Sequence, residues 1–342
     1  MRAANSTKST AAVGLVLSFF LGGLALAGGD RTASSGRSAG LSPGASDRPS
    51  ASAAASPSAS TAEPVVPQTP AEPVIPEVAA VPELPGGGHK VFGNNRFLVA
   101  YYGSAHTSSL GVLGERSPAQ TMPVLRRAAR RFRLPGEQIQ PVFELIVTVA
   151  DGYAGKDGDY SHHIPTRYVK EYVAAAKRHG VLLVLDVQPG RSSFPQVVKH
   201  WEWALKEPWV GLALDPEWRM GRGLVPGRVI GSVDAAEINR TSAWLAALTR
   251  RERLPEKVFM LHQFRTDMIR RIGQVRPREG LAMVQHVDGF GPPGAKLGTF
   301  HTVARPRQFH LGFKLFYDED QPRMSAAAVR AIRPKVRFVS FQ

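Results

Sequence analysis

Two carboxylates directly follow an apolar segment near the middle of the chain. Residues 210–214 read Val-Gly-Leu-Ala-Leu, and Asp215 and Glu217 come next, separated by one proline. If a strand continues through this pair, both side chains lie on one face, because alternate residues of a strand point the same way and are roughly 6.5 Å apart. Adjacent carboxyl groups are suited to moving protons during hydrolysis. The spacing predicts a site at the carboxyl end of a strand, where α/β proteins place their chemistry, and leaves the reaction open.

Other polar and aromatic residues also follow apolar segments. Aromatic rings among them offer flat apolar surfaces beside hydrogen-bonding groups, as recognition of a sugar ring requires. Phe290 is a further aromatic residue of this kind. We predict that the following residues bind substrate: Tyr101, Tyr102, Asp186, Gln188, Trp218, His262, Gln263, Gln285, His286, Asp288, Lys314, Tyr317 and Asp318.

The elements that must position these residues alternate between short apolar strands and amphipathic helices. Helix signals lie between the strands: Ser117-Pro118 opens one helix, Gly180 ends another, and Asp234 with Glu237 forms a capping-box-like start. Eight strands with intervening helices in about 250 residues predict a (β/α)8 TIM barrel, an α/β fold with a parallel sheet. The predicted strands are 96–102, 141–150, 181–187, 210–214, 257–262, 281–286, 309–316 and 336–341.

A doubly wound open sheet is the alternative architecture. No glycine-rich phosphate loop follows the first predicted strand, which argues against that alternative, and we predict no cofactor. The barrel makes a further prediction, because the carboxyl ends of its strands meet at one end of the molecule. The polar residues that follow the strands should therefore line a single site.

The Asp-Pro-Glu sequence at 215–217 resembles the barrel glycosidases whose fourth strand ends in Asp-x-Glu, namely the family 18 chitinases and the family 25 lysozymes. The resemblance implies a glycan-active hydrolase in which Glu217 is the general acid and Asp215 is the assisting carboxylate. A neighbouring carboxylate would raise the pKa of Glu217 and keep its proton available near neutral pH. The chain departs from both patterns: Val210 and Ala213 stand where chitinases have Asp, and Tyr101-Tyr102-Gly103 stands where the lysozymes have Asp.

Three other functions are compatible with the same residues. Glu217 could pair with Asp186, Asp288 or Asp318 as a two-carboxylate glycosidase. A metal-dependent hydrolase is a second alternative, in which His262, His286, Asp288 and Asp186 would hold a divalent ion. The third is a barrel that binds cell-wall glycan or another polysaccharide without cleaving it.

The first 88 residues differ in composition from the rest. Residues 1–27 place Arg2 and Lys8 before an apolar stretch that ends in Ala-Leu-Ala, which predicts a signal peptide. Residues 28–88 are rich in Ala, Ser and Pro and predict a disordered linker. The chain has no cysteine, so the domain at 89–342 must be stabilised by its core. We therefore predict a secreted or cell-envelope associated protein.

The whole chain has a net charge of +15, and the excess of basic residues lies on the predicted domain, which has 38 Lys and Arg against 22 Asp and Glu, or +16. Basic residues cluster at 126–133, 250–253 and 270–271, and such clusters attract polyanions. Export makes nucleic acid an unlikely partner. We expect a polysaccharide or cell-wall glycan as the main partner, with an anionic wall polymer or a membrane surface as further candidates for the basic patches.

Overall fold

The computed structural model describes residues 80–342. The predicted signal peptide and residues 28–79 of the predicted linker lie outside the described residues. Eleven strands are present in the described part of the chain: β1 Arg96–Ser104, β2 Gln138–Ala150, β3 Ser161–His163, β4 Leu182–Val187, β5 Val210–Leu214, β6 Val233–Asp234, β7 Lys257–Gln263, β8 Ile269–Arg270, β9 Leu281–Val287, β10 His310–Leu315 and β11 Val336–Phe341.

Eight of these strands form a closed parallel barrel. Each of β1, β2, β4, β5, β7, β9, β10 and β11 pairs in parallel with the next, and β11 pairs back to β1. Strand β3 extends the long β2 as an antiparallel hairpin, and β6 pairs only with β8. The predicted (β/α)8 barrel is confirmed, and the open sheet is wrong because the ring has no edge strand.

Helices surround the barrel and connect its strands. In the described part of the chain none of them is long and apolar enough to cross a membrane. Their bounds are α1 Pro118–Arg130, α2 Thr166–His179, α3 Phe194–Lys199, α4 Glu202–Leu205, α5 Ala235–Arg251, α6 Pro293–Val303 and α7 Ala326–Ala331, with 3-10 turns at Val112–Gly114, Pro216–Trp218, Thr266–Met268 and Ile272–Gln274.

The predicted helix ends follow from local side-chain chemistry. Ser117 and Gln120 form a reciprocal capping box at the start of α1, and Gly180 ends α2 in the left-handed conformation with φ 64°. At the start of α5, Asp234 accepts a hydrogen bond from Ala236 N. The predicted capping box is wrong there, because the Glu237 carboxylate instead accepts from Phe194 N and pairs with Arg219 at 2.9 Å.

Alternating side chains of the barrel strands belong to two different cores. Residues such as Phe97, Phe143 and Leu183 pack outward against the helices, whereas Leu98, Val142 and others two residues apart along each strand form a smaller apolar cluster inside the barrel. The inner cluster occupies the amino-terminal half of the barrel. Inward positions nearer the carboxyl ends of the strands are polar or charged.

A segment before β1 covers the amino-terminal end of the barrel. Leu84, Val91 and Phe92 are buried in the inner cluster. The Arg96 guanidinium donates to Gly87 O, and the Glu256 carboxylate accepts from Val91 N at 2.8 Å. Residues 84–88, which the sequence assigns to the linker, therefore pack against the barrel.

Replacing Leu84 tests this packing. Leu84 is buried, so Leu84→Ala removes apolar contact area and leaves a cavity at the base of the barrel. We expect the free energy of unfolding to fall by about 2–3 kcal/mol, as measured by urea denaturation. Val81→Ala is the control, because Val81 is exposed and its truncation should change stability by less than about 0.5 kcal/mol. Equal effects of the two variants would show that the segment does not stabilise the barrel.

Candidate functional site

Side chains from several strands converge inside the carboxyl-terminal half of the barrel. Tyr102 on β1 donates to the Asp186 carboxylate on β4 at 2.9 Å, and Gln188 donates to the Tyr102 hydroxyl at 3.4 Å. His262 on β7 lies with Nε2 3.8 Å from Asp186 Oδ1. These contacts cross the barrel interior. We call the following set the acid cluster: Glu144, Asp186, Asp215, Glu217, His262, Asp288 and Lys314.

His262 is the centre of the acid cluster. Its Nδ1 lies 2.9 Å from Asp288 Oδ2, and its Nε2 lies 3.0 Å from Glu144 Oε1 in a close charge contact that is not a hydrogen bond. Burial lowers the pKa of His262, but its contacts with Asp288 and Glu144 and the charge of Asp186 outweigh that effect, and the net pKa is raised well above its usual value. The imidazole is therefore charged at neutral pH.

Lys314 supplies a second buried cation. Its Nζ lies 3.7 Å from Asp288 Oδ2, 3.3 Å from Gln342 Oε1 and 3.7 Å from the centre of the Tyr102 ring. Burial raises the pKa of Asp288, but the hydrogen bond from His262 and the charge of Lys314 outweigh burial and lower that pKa to about 2. Asp288 is therefore an ionised carboxylate held between two cations.

Asp215 and Glu217 do not lie on one continuous strand. Strand β5 ends at Leu214, and Pro216 begins a 3-10 turn in which Asp215 Oδ1 accepts from Glu217 N at 3.2 Å. The expectation that the strand runs through the pair is wrong, because proline cannot donate to a neighbouring strand and here starts the turn. Asp215 is buried within the barrel, whereas the Glu217 side chain remains partly exposed.

The surroundings of these carboxyl groups give them different pKa values. Burial raises the pKa of Glu217 to about 7, and the negative charge of Asp288 adds to that effect. Burial likewise raises the pKa of Asp215 well above its usual range and that of Asp186 to about 6. Near neutral pH the acid cluster therefore contains a proton donor at Glu217 and an ionised carboxylate at Asp288.

The structure adds one member that the sequence interpretation missed. Glu144 lies within β2 and is fully buried, and both of its carboxyl oxygens lack a hydrogen bond in the described part of the chain. The polar residues predicted for the site follow strand ends, whereas Glu144 lies inside a strand. A single carboxylate in the apolar run 141–150 was the signal, since a buried charge requires a partner.

Several predicted site residues lie outside the acid cluster. Tyr101 points outward, where its hydroxyl lies 3.2 Å from that of Tyr317, and Gln285 donates to Gln263 at 2.7 Å and to Val303 O under α6. His286 faces the interior but bonds Ser340 at 2.7 Å. The remaining residues lie at or beyond the mouth: Trp218 is half-buried, Asp318 is exposed and Phe290 is 53% exposed.

The arrangement of potential ligands does not support the metal alternative. No three His, Asp or Glu side chains among residues 80–342 are placed to hold one metal ion. Both nitrogens of His262 face carboxylates, and His286 Nε2 is engaged by Ser340. These contacts turn both nitrogens of His262 and one nitrogen of His286 towards other side chains, and among the described residues His262 Nε2 and His286 Nδ1 form no hydrogen bond.

Gly312 has no side chain, and the His286 imidazole fills the space beside it. A Cβ atom added at Gly312 would lie 2.2 Å from His286 Nδ1, so we expect Gly312→Ala to displace the imidazole and lower the free energy of unfolding by about 1–3 kcal/mol. The measurement is urea denaturation. Gly273→Ala is the matched control, because nothing lies within 4 Å of the added atom. Unchanged stability of Gly312→Ala would show that the interior is loosely packed at this position.

Comparison with known proteins provides little further information about this site. No known protein family matches the sequence, and no curated protein is significantly similar to it. Among solved structures, a mutant form of Thermotoga maritima Cel5A in complex with cellobiose is similar, with a TM-score of 0.40 and 8% identity over 72% of this chain and 87% of that one. The functional interpretation therefore rests on the geometry of the acid cluster.

Proposed function

We propose that the chain is a glycan-active hydrolase that cleaves glycosidic bonds with Glu217 as the general acid. The observation that supports this proposal is the separation of pKa values between Glu217, at about 7, and Asp288, at about 2. Glycosidases use such a pair, with one carboxyl that keeps its proton and one that stays ionised.

In the proposed reaction the Glu217 carboxyl donates its proton to the glycosidic oxygen as the bond from that oxygen to the anomeric carbon breaks. The oxygen of a water molecule forms the new bond to the anomeric carbon, and the proton that this water loses restores the protonated form of Glu217. The ionised Asp288 stabilises the positive charge that develops on the sugar ring. Products are two shorter glycans, one of which carries a new reducing end.

Asp215 has a positioning role in this proposal. Its carboxylate oxygen accepts from Glu217 N and holds the turn that presents Glu217 at the mouth. Burial raises the pKa of Asp215 and favours its neutral form, and it assists through its hydrogen bond with the turn. Tyr102, Asp186, His262 and Lys314 then fix the position of Asp288 and the electrostatic environment of the site.

A non-catalytic glycan-binding barrel is the second candidate. Its supporting observation is the depth of the charged residues, since Glu144, Asp186 and His262 are fully buried and substrate cannot contact them without rearrangement. Such a network could serve stability alone. In that case the partly exposed residues at the mouth, including Trp218 and Tyr317, would contact the polysaccharide.

One assay separates the two candidates. The purified full chain is incubated with peptidoglycan, chitin oligomers and other wall polysaccharides, and both new reducing ends and sedimentation with insoluble glycan are measured. New reducing ends that depend on Glu217 support the hydrolase. Binding without new reducing ends supports the binding barrel, and the absence of both contradicts a glycan function.

A further inference from the structure

The amino-terminal end of the barrel, opposite the acid cluster, carries a repeated basic motif. Each connection from a helix or 3-10 turn to the next strand emerges at this end. Five of these connections place arginine within two residues before proline, at 133–135, 253–255, 276–277, 305–306 and 333–334. The basic residues of the connections are Arg131, Arg133, Lys206, Arg253, Arg276, Arg278, Arg305, Arg307, Arg333 and Lys335. We call this surface the basic face.

Ion pairs with acidic side chains involve only some of the basic residues at this end of the barrel. Glu137 pairs with Arg330 and Lys335, Glu252 pairs with Lys206, and Glu256 pairs with Lys90. In contrast, six exposed arginines of the basic face form no side-chain hydrogen bond or ion pair with any part of the chain that the structure describes: Arg131, Arg133, Arg253, Arg276, Arg305 and Arg307. These side chains are available to a partner.

Favourable interaction with helix dipoles accounts for only some of the basic residues at this end of the barrel. Basic residues in the last turn of a helix, such as Arg127 and Arg130 in α1, interact favourably with the helix dipole. That effect falls off within the last turn, yet Arg305 and Arg307 follow the end of α6 at Val303. Pro306 lies between these two arginines and restricts the backbone that carries them. The charges outside the helices are therefore displayed on short, restricted loops.

Apolar side chains are exposed beside the arginines. Leu134 lies between Arg133 and Pro135 and is 44% exposed, and Val81 is 40% exposed. Val81 precedes Leu84, which packs into the base of the barrel, so the described chain enters the fold at this face. Basic residues together with exposed aliphatic side chains are typical of surfaces that contact the membrane interface.

We propose that the basic face docks on a membrane surface that contains anionic phospholipids and holds the acid cluster at the end of the barrel away from that membrane. The arginines belong to the connections that lead to β2, β7, β9, β10 and β11, which are more than half of the ring. This spread suits a broad planar partner, whereas a linear polyanion would bind along a groove or track. The exposed Leu134 adds an apolar contact that a hydrophilic polymer would not use. This proposal does not depend on the proposed hydrolase activity.

The test is sedimentation of the full chain with phosphatidylcholine vesicles that either contain or lack phosphatidylglycerol. We expect binding only to the anionic vesicles, with loss at high salt. A variant with Arg131, Arg133, Arg305 and Arg307 each changed to Gln should bind about 100-fold more weakly or worse, because each basic residue near an anionic surface contributes separately to binding. The control changes Arg116, Arg222, Arg228 and Arg323 to Gln, which removes the same charge from exposed positions on loops that follow strands.

Equal loss of binding in the two quadruple variants would overturn the proposal, because net charge alone would then explain the attraction. Leu134→Ser distinguishes the membrane from a soluble polyanion. It should weaken vesicle binding several-fold and leave binding to polyphosphate unchanged. Binding to polyphosphate without binding to anionic vesicles would also overturn the proposal. Circular dichroism of each variant verifies that it is folded.

Discussion

Glu217→Gln is expected to lower the rate of reducing-end release about 10²–10⁴-fold, the usual contribution of a general acid. Glutamine keeps the shape of the side chain but has no proton that it can transfer to a leaving group. The variant should also be at least as stable as the parent above pH 7. The folded state raises the pKa of Glu217 to about 7, so ionisation of the parent carboxyl costs stability as pH rises from its unfolded value to that point.

Glu319→Gln is the matched control for this experiment. Glu319 is an exposed carboxylate in the loop after β10, so the substitution makes the same chemical change away from the acid cluster. We expect its activity to equal that of the parent. Full activity in Glu217→Gln would remove Glu217 from the mechanism, even if the chain cleaves glycans.

The pH dependence of hydrolysis offers an independent measurement on the parent protein. The active form carries a proton on Glu217 and a negative charge on Asp288. With pKa values of about 7 and about 2 for these groups, kcat/KM should stay level from about pH 4 to pH 6 and fall about tenfold for each pH unit above 7. A rate that increases above pH 7 would contradict the assignment of Glu217 as the acid.

His262→Ala is expected to lower the free energy of unfolding by about 3–5 kcal/mol, because it leaves Asp288 and Glu144 without their shared buried cation. Urea denaturation followed by circular dichroism measures this change. His301→Ala provides the control, since His301 is exposed and the polar contact of its ring is with the Arg333 carbonyl oxygen at 3.1 Å. The control should lose less than about 1 kcal/mol. Equal losses would show that His262 is not the centre of an ion network.

The pH dependence of this loss has a definite sign. The folded state raises the pKa of His262, so the stabilisation from its charged form is complete below the unfolded value of about 6.5 and decreases as pH rises towards the folded value. The difference between the parent and His262→Ala should therefore be larger at pH 6 than at pH 9. The double variant with Asp288→Asn should lose less than the sum of the single variants, because the two groups contact each other.

The sequence predicts the barrel well because its strands and helices differ strongly in periodicity. All eight predicted strands are present, and Ser117 and Gly180 bound their helices through capping chemistry that acts over a few residues. The same period-two rule decides which of the predicted site residues face the interior. His262 and Gln263 are adjacent in a strand, so only one of them can face the interior, and the structure places His262 there.

Long-range pairing accounts for what the sequence interpretation did not find. The contact of Glu144 with His262 exists only in the closed barrel, where β2 lies across from β7, because the two residues are more than a hundred positions apart in sequence. Similarly, the sequence places Arg219 beside the carboxylate pair, but the fold directs its guanidinium to Glu237. Local patterns therefore predict the end of the barrel at which the acid cluster lies, and closure of the barrel determines which residues belong to it.

The acid cluster also affects the register that the barrel strands adopt during folding. A shift of β7 by one residue would turn His262 towards the helices and Leu261 or Gln263 towards the interior, because the faces of a strand alternate. Glu144 would then be buried without a cation and Asp288 would keep only Lys314, at a cost of several kcal/mol. An apolar interior would tolerate such a shift more readily. The acid cluster thus makes misaligned barrels less stable than the native one, in addition to any chemistry that it performs.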